Sequence, residues 1–258
     1  MDKYLDIIDK FVSKMNYKNN SDFLGVYFYG SCLTGFNNSS SDIDLHVIFN
    51  DNDLEHIYRG VCYIDGIRVE YFEKCISDVY KSVKNDIKEC NWSWYSMIGK
   101  SYIVCDTNDE LKKLQEYTIN IYKDIKRLDE EDISEYISII NNRMDKLKKC
   151  LDEDSPNFYS LFYITVEKVR RFYHSINGFP KINTSKIYRV YNDDEYRKSY
   201  FPFEFVSLEF KSIYLSIIEN KSFDKKEMFN LLEKLYFYVL DGRELDTEYR
   251  IHIKSRND

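Results

Sequence analysis

The sequence predicts an α+β fold, in which a mixed β-sheet domain is followed by an all-α helical bundle. Short apolar and aromatic runs bounded by turn residues fill the first 110 positions, whereas later positions show apolar residues at helical spacing. Only 3 Pro and 8 Gly accompany 24 Tyr, so few turns are encoded and long helices are expected. We therefore expect one domain at residues 1–110 and a second at residues 111–258.

The predicted sheet domain begins with a helix and two interior strands. Apolar residues recur every three or four positions from Tyr4 to Met15, which is the spacing of an amphipathic helix. The runs Phe23–Tyr29 and Ile43–Phe49 are short, apolar and aromatic, and an Asn/Ser-rich loop separates them. Both runs are typical of buried strands.

A hairpin and one further strand complete the predicted sheet. The runs Val61–Ile64 and Ile67–Phe72 flank Asp65 and Gly66, a dipeptide that supplies the positive φ of a two-residue turn. Ser101–Cys105 is a candidate last strand, and the polar residues after it predict a turn or a helix cap.

The remaining chain is predicted to be helical. The third predicted helix has Ser155 as N-cap and Pro156 as its first residue, and it ends at Asn177 and Gly178. The other predicted helices are Glu110–Arg127, Ile133–Asp152, Phe205–Glu219 and Asp224–Asp241.

Charge and cysteine content narrow the function classes. Residues 1–110 carry 11 Lys and Arg against 18 Asp and Glu, whereas residues 111–258 carry 26 of each. An acidic first domain argues against binding to the phosphates of nucleic acid, which requires a basic surface. It is better suited to a small cationic partner. The six cysteines form no C-x-x-C pair, so we expect reduced thiols. The sequence shows no long apolar run and no signal peptide, so we expect a cytoplasmic protein without a membrane-spanning segment.

Acidic residues on two predicted strands form the candidate site. Because strand side chains alternate, Asp42 and Asp44 project from one face, roughly 7 Å apart. Two carboxylates so placed suit Mg²⁺, which is usually held by one or two carboxylates together with substrate phosphates. Glu70 lies on a neighbouring predicted strand, and Gly30 with Ser31 ends another, where glycine permits close approach of a polyphosphate.

These residues carry a family resemblance. The segment YGSCLTGFNNSSSDIDL resembles the signature of the DNA polymerase β-type nucleotidyltransferases, and IDGIRVEYFE resembles their third-carboxylate strand. The chain is most similar in architecture to aminoglycoside nucleotidyltransferases and related antibiotic-modifying enzymes. The motif resemblance covers about residues 23–73.

The resemblance implies an activity and a role for each residue. Asp42 and Asp44 would bind Mg²⁺, Gly30 and Ser31 would bind the triphosphate of ATP, and Glu70 would be a third ligand or the general base. A basic residue of the helical domain, Lys186, would also meet the triphosphate. The implied reaction transfers AMP to a hydroxyl of a small acceptor such as an aminoglycoside.

Several readings remain open at the level of sequence. Glu70 is alternatively an exposed strand residue paired with Arg68, and His46 is expected to be a hydrogen-bonded histidine at the cleft edge. The aromatic residues Trp92, Trp94 and Tyr95 are expected to serve core packing rather than ligand stacking. The alternative functions are an enzyme that modifies a protein or makes a signalling nucleotide, and a non-catalytic scaffold.

Overall fold

The computed structural model describes residues 1–51, 58–88, 91–124, 128–201 and 206–240. The chain divides into two compact units. The first contains Met1–Lys126 and Asn192–Phe203, and the second contains Arg127–Tyr191 and Glu204–Asp258. The assignment of catalysis to residues 1–110 and of acceptor binding to residues 111–258 stays a prediction.

A five-stranded mixed sheet forms the centre of the first unit. Its strands are β1 (Phe23–Tyr29), β2 (Ile43–Phe49), β3 (Arg59–Ile64), β4 (Ile67–Cys75) and β5 (Tyr102–Asp106). They lie in the order β3-β4-β2-β1-β5. The pair β2/β4 is parallel and the other neighbours are antiparallel. The α+β class predicted from the sequence is confirmed.

Helix α1 (Asp2–Lys14) covers one face of the sheet. Its apolar stripe of Ile7, Ile8, Phe11 and Val12 is buried. Alternate residues of β1, β2 and β4 meet this stripe, and each large side chain removed from water contributes about 1.5–3 kcal/mol. The buried sheet residues of this core are Phe23, Val26, Phe28, Ile43, Leu45, Val47, Phe49, Ile64 and Val69. The opposite side chains of the same strands therefore point to the other face.

The other helices of the first unit are α2 (Ser31–Thr34), α3 (Ile76–Lys88), α4 (Glu110–Ile121) and α8 (Asp194–Tyr200). The carboxylate of Asp106, the last residue of β5, accepts the backbone N–H groups of Leu111 and Lys112 and so caps α4, as the polar run that begins at Asp106 predicts. Helix α8 joins this unit from far along the chain, with the ring of Tyr196 5.1 Å from that of Phe36.

The second unit is helical. It contains α5 (Glu130–Asp152), α6 (Phe158–Asn177), α7 (Thr184–Asn192), α9 (Leu208–Ile218) and α10 (Lys225–Leu240). Helices α5 and α10 pack on α6, and α9 packs on α10. Among the described residues, no helix has the length and apolar character needed to span a bilayer.

One predicted helix start is wrong. Helix α6 begins at Phe158 with Asn157 as its N-cap, not at Pro156 with Ser155 as cap. The Ser155 hydroxyl instead accepts the N–H of Asn157, which forms a turn that precedes the helix. The predicted end is right, because Gly178 adopts the left-handed conformation with φ 68°. Residues 125–127, 205 and 241, which predicted helices include, lie outside the described part of the chain.

Candidate active site

The sheet brings the three predicted acidic residues together. Asp42 directly precedes β2, and within β2 Asp44 is paired with Tyr29 of β1 on one side and with Glu70 of β4 on the other. Paired residues of adjacent strands project from the same face of a sheet. One ligating oxygen of each of the three carboxylates lies within 4.8 Å of the other two.

The chemistry of this cluster fits a hard divalent cation. Carboxylate oxygens are the ligands that Mg²⁺ prefers, and three like charges so close together repel one another without a positive partner. Asp42 and Asp44 are half-buried, and Glu70 is 9% exposed. The alternative reading of Glu70 as an exposed strand residue is therefore wrong, and burial limits how far its carboxylate can move.

Two arginines contact the cluster. Arg68 donates a hydrogen bond to Asp42 Oδ2, and its Nη2 lies 3.3 Å from Glu70 Oε2. Arg59, the first residue of β3, donates to Glu70 Oε1 from Nε at 2.8 Å and also from Nη2. The sequence suggested the pairing of Arg68 with Glu70, but not the role of Arg59, which depends on the register of the hairpin.

The electrostatics of Glu70 follow from these contacts. Burial tends to raise the pKa of the Glu70 carboxyl, but the hydrogen bonds and charge of Arg59 and the charge of Arg68 act in the opposite direction. The net result is a pKa below the ordinary value. In this arrangement Glu70 is ionised, as a metal ligand requires.

Gly30 and Ser31 lie directly beside the acids. Gly30 ends β1 with φ 84° and ψ −165°, a backbone conformation that glycine adopts without penalty, and Ser31 begins α2. A Cβ atom on residue 30 would collide with the carboxylate of Asp44. Cys32, which the sequence did not single out, donates from Sγ to the Asp42 carbonyl at 3.1 Å and so ties α2 to the acidic segment.

His46 differs from expectation. Its ring is buried, 4.8 Å from the ring of Tyr29 and 5.2 Å from that of Trp94. Burial, with a smaller contribution from the charge of Lys74, lowers the pKa of His46 to about 3. Its Nδ1 has no hydrogen-bond partner among the described residues, so the prediction of a hydrogen-bonded histidine is wrong for that atom. The neutral ring packs against aromatic neighbours.

The aromatic segment near position 92 serves packing in the first unit. The rings of Trp92 and Tyr95 are buried and contact the ring of Tyr122. The buried Asp86 carboxylate accepts a hydrogen bond from the Tyr122 hydroxyl and one from the Trp94 backbone N–H at 2.8 Å. These contacts agree with the packing role expected for Trp92 and Tyr95.

Lys186 lies in the second unit, near the start of α7, with its side chain exposed. Its sequence neighbours Ile182 and Ile187 are buried. Its role in nucleotide binding stays a prediction.

Comparison with known proteins identifies the family. The profile described as "Nucleotidyltransferase domain" matches residues 8–151, more than half of the chain. A nucleotidyltransferase-like protein from Exiguobacterium sibiricum 255-15 has a similar structure, with a TM-score of 0.49 and 13% sequence identity over 93% of this chain and 75% of that chain. A search of curated proteins gives no significant match. The profile match begins within α1 and includes the whole sheet and the acidic cluster, and the chain belongs to the nucleotidyltransferase-domain family.

Proposed function

We propose that the protein transfers a nucleoside monophosphate, AMP from ATP, to a hydroxyl of a small-molecule acceptor and releases pyrophosphate. The observation that carries the proposal is the convergence of Asp42, Asp44 and Glu70 within 4.8 Å, beside the glycine that ends β1. A nucleotide-binding scaffold without catalysis has no need of three carboxylates at one point. The family match supports nucleotide transfer as the reaction class.

Asp42, Asp44 and Glu70 would hold Mg²⁺. When bound, Mg²⁺ would neutralise charge on the phosphate oxygens and stabilise the leaving pyrophosphate. The sheet supplies the preorganisation, because Asp44 and Glu70 project from adjacent strands in fixed register. This rigidity orients the carboxylates before the substrate arrives.

The triphosphate would lie at the turn from β1 to α2. Gly30 has no side chain there, so phosphate oxygens can approach the backbone, and the Ser31 hydroxyl adds a hydrogen-bond donor. Lys186 would add a positive charge to the bound triphosphate. The acceptor oxygen would then attack the α-phosphorus as the bond from that phosphorus to the bridging oxygen breaks.

Glu70 has two candidate roles, metal ligand and general base. A base must take the proton of the acceptor hydroxyl at hydrogen-bond distance. Both carboxylate oxygens of Glu70 contact a guanidinium, Oε1 that of Arg59 and Oε2 that of Arg68. A metal ion or an acceptor hydroxyl at Glu70 would therefore compete with these guanidinium groups for the carboxylate oxygens.

An aminoglycoside is the first acceptor to test. The excess of acidic residues at positions 1–110 produces a negative field that attracts a polycation. We would incubate the protein with Mg²⁺, labelled ATP and a panel of aminoglycosides and lincosamides, and then look by mass spectrometry for acceptors that gain one AMP. The double variant Asp42→Asn/Asp44→Asn is the control and should give no product.

A protein is the second candidate acceptor, and the surface of β3 favours it. Val61 is paired with Glu70 and shares its face of the sheet, yet Val61 is 47% exposed and nearby Tyr63 is 63% exposed. Incubation with labelled ATP and cell lysate tests this candidate. A labelled protein with no labelled antibiotic would select protein modification, and oligomeric or cyclic products from ATP alone would select nucleotide signalling.

A further inference from the structure

Arg59 and Arg68 contact two of the three carboxylates that would hold a metal ion. Arg68 contacts Asp42 Oδ2 and lies 3.3 Å from Glu70 Oε2, and Arg59 donates two hydrogen bonds to Glu70 Oε1. Asp42 and Glu70 belong to the cluster that would hold Mg²⁺. The same two carboxylates thus contact arginine in this arrangement and are candidate metal ligands.

Guanidinium groups and a metal ion compete for these oxygens. The three carboxylates carry three negative charges, and the two arginines neutralise two of them. A divalent cation bound by the same carboxylates would be repelled by both guanidinium groups and would compete with their N–H donors for the carboxylate lone pairs. Metal binding and the arginine contacts therefore oppose each other.

The two arginine side chains are free to leave, whereas the acids are held in place. The side chain of Arg59 is 68% exposed and that of Arg68 is 39% exposed, against 11% for Glu70. The guanidinium of Arg59 also lies 5.1 Å from the centre of the Phe72 ring, a contact that helps to retain its charge beside the site.

The released arginines would bind the negatively charged phosphates of a nucleoside triphosphate. Arginine binds phosphate oxygens through paired N–H donors, as it binds carboxylates. We propose that Arg59 and Arg68 hold the acidic cluster in the metal-free protein and transfer to the triphosphate when it enters with its metal ion. This inference rests on the proposed function, and it makes metal and nucleotide binding cooperative.

The inference predicts opposite effects on the two ligands. Without Arg59 or Arg68, the metal ion alone meets less competition and binds more tightly. The metal–triphosphate complex, in contrast, loses a phosphate contact and binds more weakly. A typical coupling free energy between two ligands changes the affinity for each by about 5-fold to 150-fold. We therefore expect each effect to be at least about fivefold.

Mn²⁺ binding without nucleotide is the decisive measurement, because free Mn²⁺ is counted directly by electron paramagnetic resonance. We would compare wild type with Arg59→Gln, Arg68→Gln and, as matched control, Arg189→Gln on the exposed surface of α7. Binding of a non-hydrolysable ATP analogue with Mg²⁺ is measured in parallel by calorimetry. Circular dichroism checks the fold, and Arg59→Gln keeps the test valid if Arg68→Gln does not fold, because Arg59 is the more exposed.

Tighter Mn²⁺ binding together with weaker analogue binding in the arginine variants, with no change in Arg189→Gln, supports the inference. Unchanged or weaker Mn²⁺ binding in Arg59→Gln overturns it. If wild type binds Mn²⁺ and Asp42→Asn abolishes that binding while the arginine variants behave as wild type, only this inference fails. If wild type binds no Mn²⁺ with or without the analogue, the proposed function fails as well.

Discussion

Gly30 lies so close to the carboxylate of Asp44 that any side chain on residue 30 would displace it. The contact joins the end of β1 to the second residue of β2, and the φ of 84° at Gly30 directs the chain into α2. The absence of a side chain at position 30 therefore leaves the space that the carboxylate of Asp44 occupies.

Gly30→Ala should impair metal binding and activity more than it impairs folding. The new Cβ pushes the Asp44 carboxylate away, and the backbone conformation adds a strain of about 1–3 kcal/mol. We expect a loss of Mn²⁺ affinity and of kcat of about 100-fold or more, since small misplacements of catalytic groups have effects of that size.

Gly35→Ala is the matched control for this substitution. Gly35 also has a positive φ, 80°, but a Cβ there meets no atom within 4 Å. This variant should lose stability in urea unfolding while keeping Mn²⁺ affinity. Equal losses of Mn²⁺ affinity in both variants would show that backbone strain, not the contact with Asp44, governs the site.

Asp42→Asn and Asp44→Asn should each abolish nucleotide transfer and leave the protein folded. Each substitution removes one of three negative charges that repel one another, and Asp42→Asn also removes the charge that Arg68 contacts, so we expect the free energy of unfolding without metal to change by no more than about 1 kcal/mol. Isothermal titration calorimetry with Mn²⁺ should show weaker binding of the metal ion in both variants. Wild-type turnover in either variant would contradict a metal role for the cluster.

The sheet and its acids could be predicted because local pattern determines them. The strand Ile43–Phe49 has apolar residues on its core face, and Asp65 and Gly66 form the predicted turn with φ of 49° and 78°. Strand alternation then places Asp44 on the open face. None of these inferences needs knowledge of distant contacts.

The partners of the acids could not be predicted in the same way. Arg59 reaches Glu70 because β3 and β4 pair in a register that brings Val61 opposite Glu70. The parallel pairing of β2 with β4 and the return of α8 to the first unit depend on contacts between residues far apart in the sequence. Neither has a local periodic signal.

Lys186→Ala tests the proposed contribution of the second unit to nucleotide binding. If Lys186 contacts the triphosphate, its removal should weaken binding of the ATP analogue by about tenfold, which corresponds to one charge-assisted contact of about 1.4 kcal/mol. Circular dichroism and melting temperature should not change, because the side chain is exposed. Lys226→Ala, at another exposed lysine, is the control, and wild-type affinity in Lys186→Ala would remove Lys186 from the site.

The stability of the second unit should fall as the pH falls below about 6.5, because His174 is buried in its neutral form. Its Nδ1–H donates to the Pro180 carbonyl and its Nε2 accepts the hydroxyl of Tyr191 at 2.7 Å. Burial, reinforced by the charge of Arg170 and opposed by that of Glu167, lowers the pKa of His174 to about 3 from the 6.5 of an unperturbed histidine.

Between these two pKa values the unfolded chain binds a proton at His174 and the folded chain does not, so the free energy of unfolding decreases by about 1.4 kcal/mol per pH unit on account of this residue. Urea unfolding at pH 7.5, 6.5, 5.5 and 4.5 measures the slope. His174→Gln removes the titrating group, so its slope below pH 6.5 should be shallower than that of wild type by this amount, whatever the variant's stability at pH 7.5. Parallel curves for the two proteins would mean that the folded state protonates His174 as readily as the unfolded chain does.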